Sequence, residues 1–405
     1  MSAPFIAIVA DDLTGSGDTA VQFVRAGWRT QLSVGRAAQA LADPCIAEAE
    51  VIAVTTHSRA LADSIAGQVV SEDIAALRVA GIKRLYKKVD STLRGPFLAE
   101  IDAARRAWRK DAIAVVCPAF PATGRSLKDG ILYVDGRPVT ETSAANDPVT
   151  PVTESHLPSL LGSSHVGRIA GESPAELAAR IEAAGEIVVV DAETPDEMDS
   201  LASAIALLGE RALPVGSGGL ATPLARIWAG SESLGAVVVV VTSQHSSARA
   251  QAASLAAAGA RVWAPEPGTL AEPQAWSDYV DQVLAEAQQT APKATWVLLA
   301  PEGGYPGLDS DAVAERLGAM AARLIIECKA AGVVATGGDG ASAVLDALGA
   351  GGIALVDEVT GGMPLGTLTG GPAAGLPVVT KAGGFGAPDV LTRAVKAVRE
   401  RRFSA

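Results

Sequence analysis

The sequence predicts an α/β protein with two α/β domains, each built on a largely parallel sheet. Three observations support this: nine short β-branched runs recur along 405 residues, alanine-rich stretches of helical periodicity separate them, and polar or glycine residues follow most of the runs. Continuous apolar runs of four to six residues are typical of strands buried on both faces, and helices between them indicate parallel crossovers.

The nine predicted strands cover residues 5–10, 51–54, 85–89, 113–116, 187–190, 237–241, 296–299, 333–335 and 376–380. A small polar stretch at 229–235 separates a helical pattern from the strong strand at 237–241 and predicts a domain boundary. We therefore expect one domain over residues 1–230 and another over 236–405, facing each other across a cleft.

Composition excludes several classes of function. The formal net charge is −12, and an acidic surface repels phosphate backbones and anionic lipid, so we expect neither nucleic acid nor membrane partners. Three scattered cysteines give neither a disulfide framework nor a metal-ligand spacing, and we expect no protein metal site. The sequence shows no signal peptide and no apolar run long enough to span a bilayer, so we expect a soluble cytoplasmic protein.

Carboxylates follow the first predicted strand. Asp11 and Asp12 come directly after it, Thr14-Gly15-Ser16-Gly17 follows, and a helical pattern begins at residue 19. Two adjacent carboxylates at a strand end need partners, and they could hold substrate hydroxyls or remove a proton from one. The structural alternative is a capped turn with an Asp or Thr as N-cap.

A second polar constellation follows the third predicted strand. Strand alternation places Lys88 and Asp90 on one face, and Ser91 and Arg94 lie just beyond the strand. Lys88 and Arg94 could bind a carboxylate, and Arg59, past its own strand end, adds a third cation. The alternative is a structural Lys–Asp pair with a serine N-cap.

Glycine turns dominate the second half. Thr336 begins a glycine turn that leads into a helical pattern at 343–348, and 360–366 and 381–387 are also glycine-rich. Strand, glycine turn and helix N-terminus together can cradle phosphate, but neither G-x-x-x-x-G-K-[ST] nor G-x-G-x-x-G is present, and glycine turns also occur for steric reasons. These loops predict one extended ligand that is contacted mostly by backbone.

Several motifs together resemble the four-carbon acid sugar kinase family. They are Ala-Asp-Asp-Leu-Thr-Gly at 10–15, Lys-Lys-Val-Asp-Ser-Thr-Leu-Arg-Gly at 87–95, Cys-Pro-Ala-Phe-Pro at 117–121 and Gly-Ile-Leu-Tyr-Val-Asp-Gly at 130–136. The resemblance implies an N-terminal domain for the sugar acid and a C-terminal domain for ATP. It implies ATP- and Mg²⁺-dependent phosphorylation of the terminal hydroxyl of a threonate, an erythronate or a 3-oxo-tetronate.

The resemblance also assigns residues. It assigns Asp12 and Asp90 to the substrate side together with the substrate-binding residues Asp11, Arg59, Lys88, Ser91 and Arg94. Phosphoryl transfer needs a carboxylate that accepts the hydroxyl proton, and Asp12 or Asp90 is the expected catalytic base. It assigns nucleotide binding to Ser243, Gly337, Gly338, Asp339, Gly340 and Gly383. The chain departs from the family pattern at 242–245, where Gly-Ser-x-Ser is usual and Thr242-Ser243-Gln244-His245 is present, and at Gly340, where threonine is common.

Two other functions stay open at this point. A doubly wound sheet with glycine turns could belong to a nicotinamide-dependent oxidoreductase of a small hydroxy acid, although no G-x-G-x-x-G follows the first strand. The departures at 242 and 340 allow a non-catalytic sugar-acid-binding protein. The sequence leaves open the identity and stereochemistry of the acid, the base, the Mg²⁺ ligands and the oligomeric state, for which the resemblance allows a homodimer.

Overall fold

The computed structural model describes residues 5–232, 235–290, 294–303 and 308–400. Its contacts divide the chain into two compact units, Met1–Trp228 and Ala229–Ala405. Each unit is an α/β domain with its own central sheet, as the sequence predicts.

The described part of the first unit carries eleven strands: β1 (Ile6–Ala10), β2 (Thr30–Leu32), β3 (Val51–Thr55), β4 (Arg84–Lys88), β5 (Ile113–Cys117), β6 (Arg125–Lys128), β7 (Ile131–Val134), β8 (Arg137–Pro138), β9 (Ser164–Val166), β10 (Ile187–Val190) and β11 (Ala212–Gly216). Its helices are α1 (Leu13–Arg25), α2 (Ala37–Leu41), α3 (Asp63–Val79), α4 (Phe97–Trp108), α5 (Leu157–Leu161), α6 (Pro174–Ala184), α7 (Pro195–Leu208) and α8 (Gly218–Glu232), which crosses into the second unit.

The second unit carries β12 (Val237–Val241), β13 (Arg261–Trp263), β14 (Thr295–Leu299), β15 (Gly332–Thr336), β16 (Gly352–Glu358), β17 (Pro364–Thr369) and β18 (Pro377–Lys381) in its described part. Its remaining helices are α9 (Ser246–Ala257), α10 (Pro267–Ala271), α11 (Pro273–Gln288), α12 (Ser310–Glu327), α13 (Gly338–Ala347) and α14 (Val390–Arg399).

Strand order explains why polar strand ends come together. The first sheet runs β2-β3-β1-β4-β11-β5-β10-β9 with parallel pairing throughout, so β1 lies between β3 and β4. The second runs β13-β14-β12-β15-β18-β17-β16, with five parallel strands and an antiparallel edge formed by β17 and β16. In such sheets ligands bind beyond the carboxyl ends of the strands.

Helix starts differ from the sequence prediction. The helix predicted from residue 19 begins at Leu13, and the helix predicted from 343 begins at Gly338. Small residues of poor helix propensity occupy both first turns, and close neighbours leave no room for a side chain at two of them. A Cβ at Gly15 would lie 2.5 Å from Asp12 Oδ1, and a Cβ at Gly340 would overlap the Thr242 hydroxyl. The predicted boundary stretch at 229–235 begins where the two compact units divide, although α8 continues to Glu232; residues 233 and 234 lie outside the described residues.

All nine predicted strands are present, and short or polar strands were missed. The missed strands include β11, which carries Pro214 and Gly216 and yet lies between β4 and β5 in the middle of the first sheet. They also include the antiparallel three-stranded sheet β6-β7-β8. Within the described ranges, every helix is too short or too polar to span a bilayer.

Candidate functional site

The ends of β1, β3 and β4 bring acids and cations into one cluster. Arg59 Nε donates to Asp11 Oδ2 at 2.6 Å, and its two terminal nitrogens donate to Asp12 at 2.9 and 2.8 Å. Arg59 Nη2 also lies 3.6 Å from Asp90 Oδ1. Burial opposes the charge of Arg59, but the carboxylates, Asp11 first among them, raise its pKa above the usual value.

A second arginine is fixed on the same side. Arg94 donates to both oxygens of Asp90, from Nε and Nη2 at 3.0 Å each, and its Nη1 lies 3.3 Å from Asp147 Oδ2. The hydroxyl of Thr92 donates to Asp90 Oδ2 at 2.5 Å. Burial alone would raise the pKa of Asp90, but hydrogen bonds from Arg94 and Thr92 outweigh it and hold that pKa well below its ordinary value.

The loops that carry both arginines contain strained backbone. His57 has a φ of +49° two residues before Arg59, and Leu93 has a φ of +66° directly before Arg94. Residues other than glycine rarely adopt this left-handed backbone conformation. It costs on the order of 1–3 kcal/mol and persists where the surrounding structure enforces it. The strain therefore marks the two loops that present the guanidinium groups.

Two polar groups of the cluster have no hydrogen-bond partner among the described residues. Lys88 is 4% exposed, and its ammonium makes no hydrogen bond or close ion pair with any residue that the structure describes. Asp11 Oδ1 is buried and likewise unpartnered within those residues. Burial lowers the pKa of Lys88, although Asp11 and Asp90 oppose the shift. The charge of Asp11 is paired with Arg59 through its other oxygen, so in the described part of the chain the cluster offers a ligand one unused acceptor, Asp11 Oδ1, and one ammonium without a direct partner, Lys88.

Asp12 combines a capping role with an accessible position. It is the N-cap of α1 and accepts a hydrogen bond from Gly15 N at 2.9 Å, so the structural alternative of a capped turn is correct as local structure. The Asp12 side chain is 27% exposed, whereas that of Asp90 is 9% exposed. A cavity of about 480 Å³, lined by Arg59, Gly95 and the 149–154 segment among others, borders the cluster.

Behind the cluster lies a fully buried ion pair. Lys87 Nζ lies 2.7 Å from Glu100 Oε2, with both side chains at most 1% exposed, and Ser58 Oγ donates to Glu100 Oε1 at 2.5 Å. Lys87 also donates to the backbone oxygen of Lys88 at 2.8 Å, and Ser58 N donates to the oxygen of Asp11 at 3.0 Å. This network ties α4 to the ends of β1 and β4.

In the second unit, three strand-end loops meet. β15 lies between β12 and β18, so the loops after residues 241, 336 and 381 are neighbours. Ser243 packs directly over Gly383, where a Cβ would overlap its hydroxyl, and Gly337 N donates to Lys381 O at 2.9 Å. Gly337 has a φ of +86°, which favours glycine, and it precedes the N-terminus of α13.

The two departures from the family pattern face each other. A Cβ at Gly340 would overlap the Thr242 hydroxyl and lie 2.8 Å from its Cγ2, and Thr242 Oγ1 donates to Thr336 O at 3.1 Å. The side chain gained at 242 therefore fills the space that a side chain at 340 would need. The departures compensate each other sterically.

The structure thus gathers Asp11, Asp12, Arg59, Lys88, Asp90 and Arg94 in the first unit and Ser243, Gly337, Gly340 and Gly383 in the second. Ser91 lies half-buried just beyond β4, and Gly338 and Asp339 are exposed in the first turn of α13. Sequence reasoning does not identify Asp147 and Thr92 as partners of Arg94 and Asp90. Thr92 lies in the motif at 87–95 and Asp147 lies outside the four motifs, and no spacing rule links either residue to its partner.

Comparison with known proteins agrees with this organisation. A family model described as a sugar-binding N-terminal domain matches residues 6–224, and one described as a nucleotide-binding C-terminal domain matches residues 238–391. A D-threonate kinase of Bordetella bronchiseptica is 67% identical over the full length of both chains. The chain belongs to the four-carbon acid sugar kinase family.

The similarity extends to more distant relatives in this family and to a solved structure. A D-erythronate kinase of Heliobacterium modesticaldum is 30% identical, with 96% of each chain covered. A crystal structure from Bordetella bronchiseptica, a domain-swapped dimer with bound citrate, is 67% identical and superposes with a TM-score of 0.93 over 99% of this chain and all of that one. The family and the two-domain α/β fold predicted from the motifs are confirmed.

Proposed function

We propose that the protein is an ATP-dependent kinase that phosphorylates the terminal hydroxyl of a four-carbon sugar acid, with D-threonate as the first candidate. Family membership supports the reaction class, and the 67% identical D-threonate kinase supports the acid. The first unit supplies the sugar-acid site and the second supplies the nucleotide site in this proposal.

One observation carries the substrate side: the ammonium of Lys88 and the buried Oδ1 of Asp11, both without a hydrogen-bond partner among the described residues, lie at the ends of adjacent strands. Lys88 would receive the substrate carboxylate, and Asp11 Oδ1 would accept a hydrogen bond from a substrate hydroxyl. Arg59 and Arg94 are held by acids of this chain and would add positive charge beside the substrate. Ser91 is the remaining candidate contact.

Asp12 is the proposed base. Phosphoryl transfer depends mostly on positioning and charge stabilisation, with a carboxylate accepting the hydroxyl proton. Asp90 is less suited, because five donor contacts from Thr92 and Arg94 occupy its oxygens and its pKa is strongly lowered. Its proposed role is to orient Arg94.

For ATP, the proposed contacts are Ser243, the first turn of α13 and Gly383. Glycine turns and a helix N-terminus offer backbone N–H groups, which suit phosphate. In the described part of the chain, no group of three or more His, Cys, Asp or Glu residues is arranged to hold a metal. Mg²⁺ would be held mainly by the phosphates of ATP and by water, and it would neutralise phosphate charge.

The test is ADP formation by the purified full chain with Mg²⁺–ATP and one acid at a time. We expect turnover with D-threonate to exceed that with L-threonate, D-erythronate and 3-oxo-tetronates. Turnover with another four-carbon acid would support the kinase reaction and identify that acid, and not D-threonate, as the substrate. Nicotinamide reduction with these acids would instead establish the oxidoreductase, and binding of an acid without ADP formation would establish the non-catalytic protein.

The facing pair Thr242 and Gly340 gives a second test of the nucleotide side. We expect Gly340→Thr alone to destabilise the protein by about 1–3 kcal/mol and to raise the KM for ATP, because the new side chain overlaps Thr242. The double variant Thr242→Gly/Gly340→Thr should recover both, and urea unfolding with ATP kinetics measures the coupling.

The control for this pair is Gly338→Ala, because a Cβ there meets no atom within 4 Å. It should change stability little. A double variant no better than Gly340→Thr alone would show that the two positions do not compensate.

We also propose a homodimer, since the 67% identical crystal structure is a domain-swapped dimer; a monomeric mass by light scattering would refute this.

A further inference from the structure

The loop at residues 382–387 has its carbonyl groups turned inward by two buried side chains. Lys381 Nζ donates to the oxygens of Ala382 and Gly383 at 2.7 and 3.1 Å. Gln251 Nε2, from α9, contacts the oxygens of residues 385, 386 and 387 at 3.0, 2.9 and 3.2 Å. Lys381 is 3% exposed and Gln251 is 1% exposed.

Inward carbonyls fix the direction of the N–H groups. In a trans peptide the N–H of the next residue points opposite to the C=O, and the described residues contain no cis peptide bond. The N–H groups of Gly383, Gly384 and Gly386 therefore point away from Lys381 and Gln251. None of the three has an acceptor in the described part of the chain. Successive free N–H groups in a loop form a concave site for anions.

The positive charge of Lys381 is not balanced nearby. No carboxylate among the described residues lies within 4.0 Å of its ammonium. Thr336, its register partner on β15, is fully buried, and its hydroxyl has no hydrogen-bond partner there. A buried ammonium bonded only to carbonyls is costly to maintain, and an anion beyond the loop would offset that cost.

We propose that Lys381 is a positioning residue of the nucleotide site. By holding the carbonyl groups of the 382–387 loop, it directs the loop N–H groups toward the polyphosphate of ATP, and its positive charge stabilises the bound phosphates. The inference rests on the proposed function, because it assumes that this loop faces the nucleotide. The ammonium, the loop peptides and the phosphate form one aligned series of charge and dipoles, in which each hydrogen bond strengthens the next. Burial, which lowers the pKa of Lys381, agrees with a charge that lacks a protein partner.

Binding of AMP, ADP and ATP to the full chain separates charge from loop shape. Lys381→Gln keeps an amide donor and removes the charge, so we expect its loss of affinity to grow along the series. The loss should rise from under about threefold for AMP to about tenfold or more for ATP. Lys381→Arg keeps the charge and should retain the wild-type differences among the three nucleotides. Calorimetry measures each constant.

Gln251→Leu is the matched control, because it removes donors from the other half of the loop without changing charge. It should weaken all three nucleotides by one common factor. Equal losses for Lys381→Gln along the series, or none, would overturn the proposal. If Lys381→Gln does not fold, Lys381→Met removes the same charge and is judged by the same criterion. Absence of nucleotide binding by the wild-type chain would instead refute the proposed function.

Discussion

Asp12→Asn should lower the turnover number by about 10²–10⁴-fold while the protein stays folded. Asn keeps an oxygen for the Gly15 N–H, which lies 2.9 Å from Asp12 Oδ1, and Asn is as good an N-cap as Asp. It loses the capacity to accept the proton of the substrate hydroxyl and one of the two hydrogen bonds from Arg59, which keeps its contact with Asp11. Steady-state kinetics with D-threonate and ATP, together with the melting temperature, measure the effect.

Two comparisons make this result specific. Asp309 caps α12 with a similar hydrogen bond, 2.8 Å to Ala312 N, and lies outside the proposed site, so Asp309→Asn should leave turnover unchanged. Asp90→Asn releases Arg94 and should raise the KM for the acid more than it lowers turnover. If Asp12→Asn turns over within a few-fold of wild type, Asp12 is not the base.

The sheets could be predicted because their buried strands are continuous apolar runs. Five consecutive valines at 237–241 have few alternatives to a central strand. β11 could not be predicted in the same way, because Pro214 is disfavoured inside a sheet and only the neighbouring strands show that this segment pairs. The start of α1 was missed for a related reason: Gly15 and Gly17 have poor helix propensity, and tertiary contacts decide.

The residues of the site likewise fall into those that the sequence predicts and those that depend on tertiary contacts. Asp11, Asp12 and Asp90 follow predicted strands directly and Lys88 lies near the end of one, so parallel pairing predicts that all four lie at the same edge of a sheet. The partner of each cation could not be predicted, because Arg94 meets Asp147 across 53 positions of sequence. Of the three cations expected to bind the substrate carboxylate, the structure leaves Lys88 without a hydrogen bond among the described residues, and that difference depends on tertiary contacts.

Lys87→Met should lower the free energy of unfolding by about 3–5 kcal/mol, because it leaves the carboxylate of Glu100 buried and unpaired. The pair is 2.7 Å apart and at most 1% exposed, so water cannot replace the lost ammonium. Lys83→Met, at an exposed position just before β4, is the control and should change stability by about 0.5 kcal/mol or less. Urea unfolding compares the two, and a loss below about 1 kcal/mol for Lys87→Met would contradict the pairing.

The double variant Lys87→Met/Glu100→Met tests whether the network serves more than stability. An apolar pair of similar volume often replaces a buried ion pair at little cost, so we expect most of the lost stability to return. Ser58 Oγ would lose Glu100 and keep Thr56 Oγ1, 2.6 Å away, and Lys88 O would lose the donor from Lys87; Ser58 N holds the backbone of Asp11 at 3.0 Å. Small displacements of reacting groups can cost up to about 10²-fold in rate, so kcat/KM should stay at least about tenfold below wild type. Wild-type turnover in a stable double variant would mean that the buried pair supports the fold and not the geometry of the site.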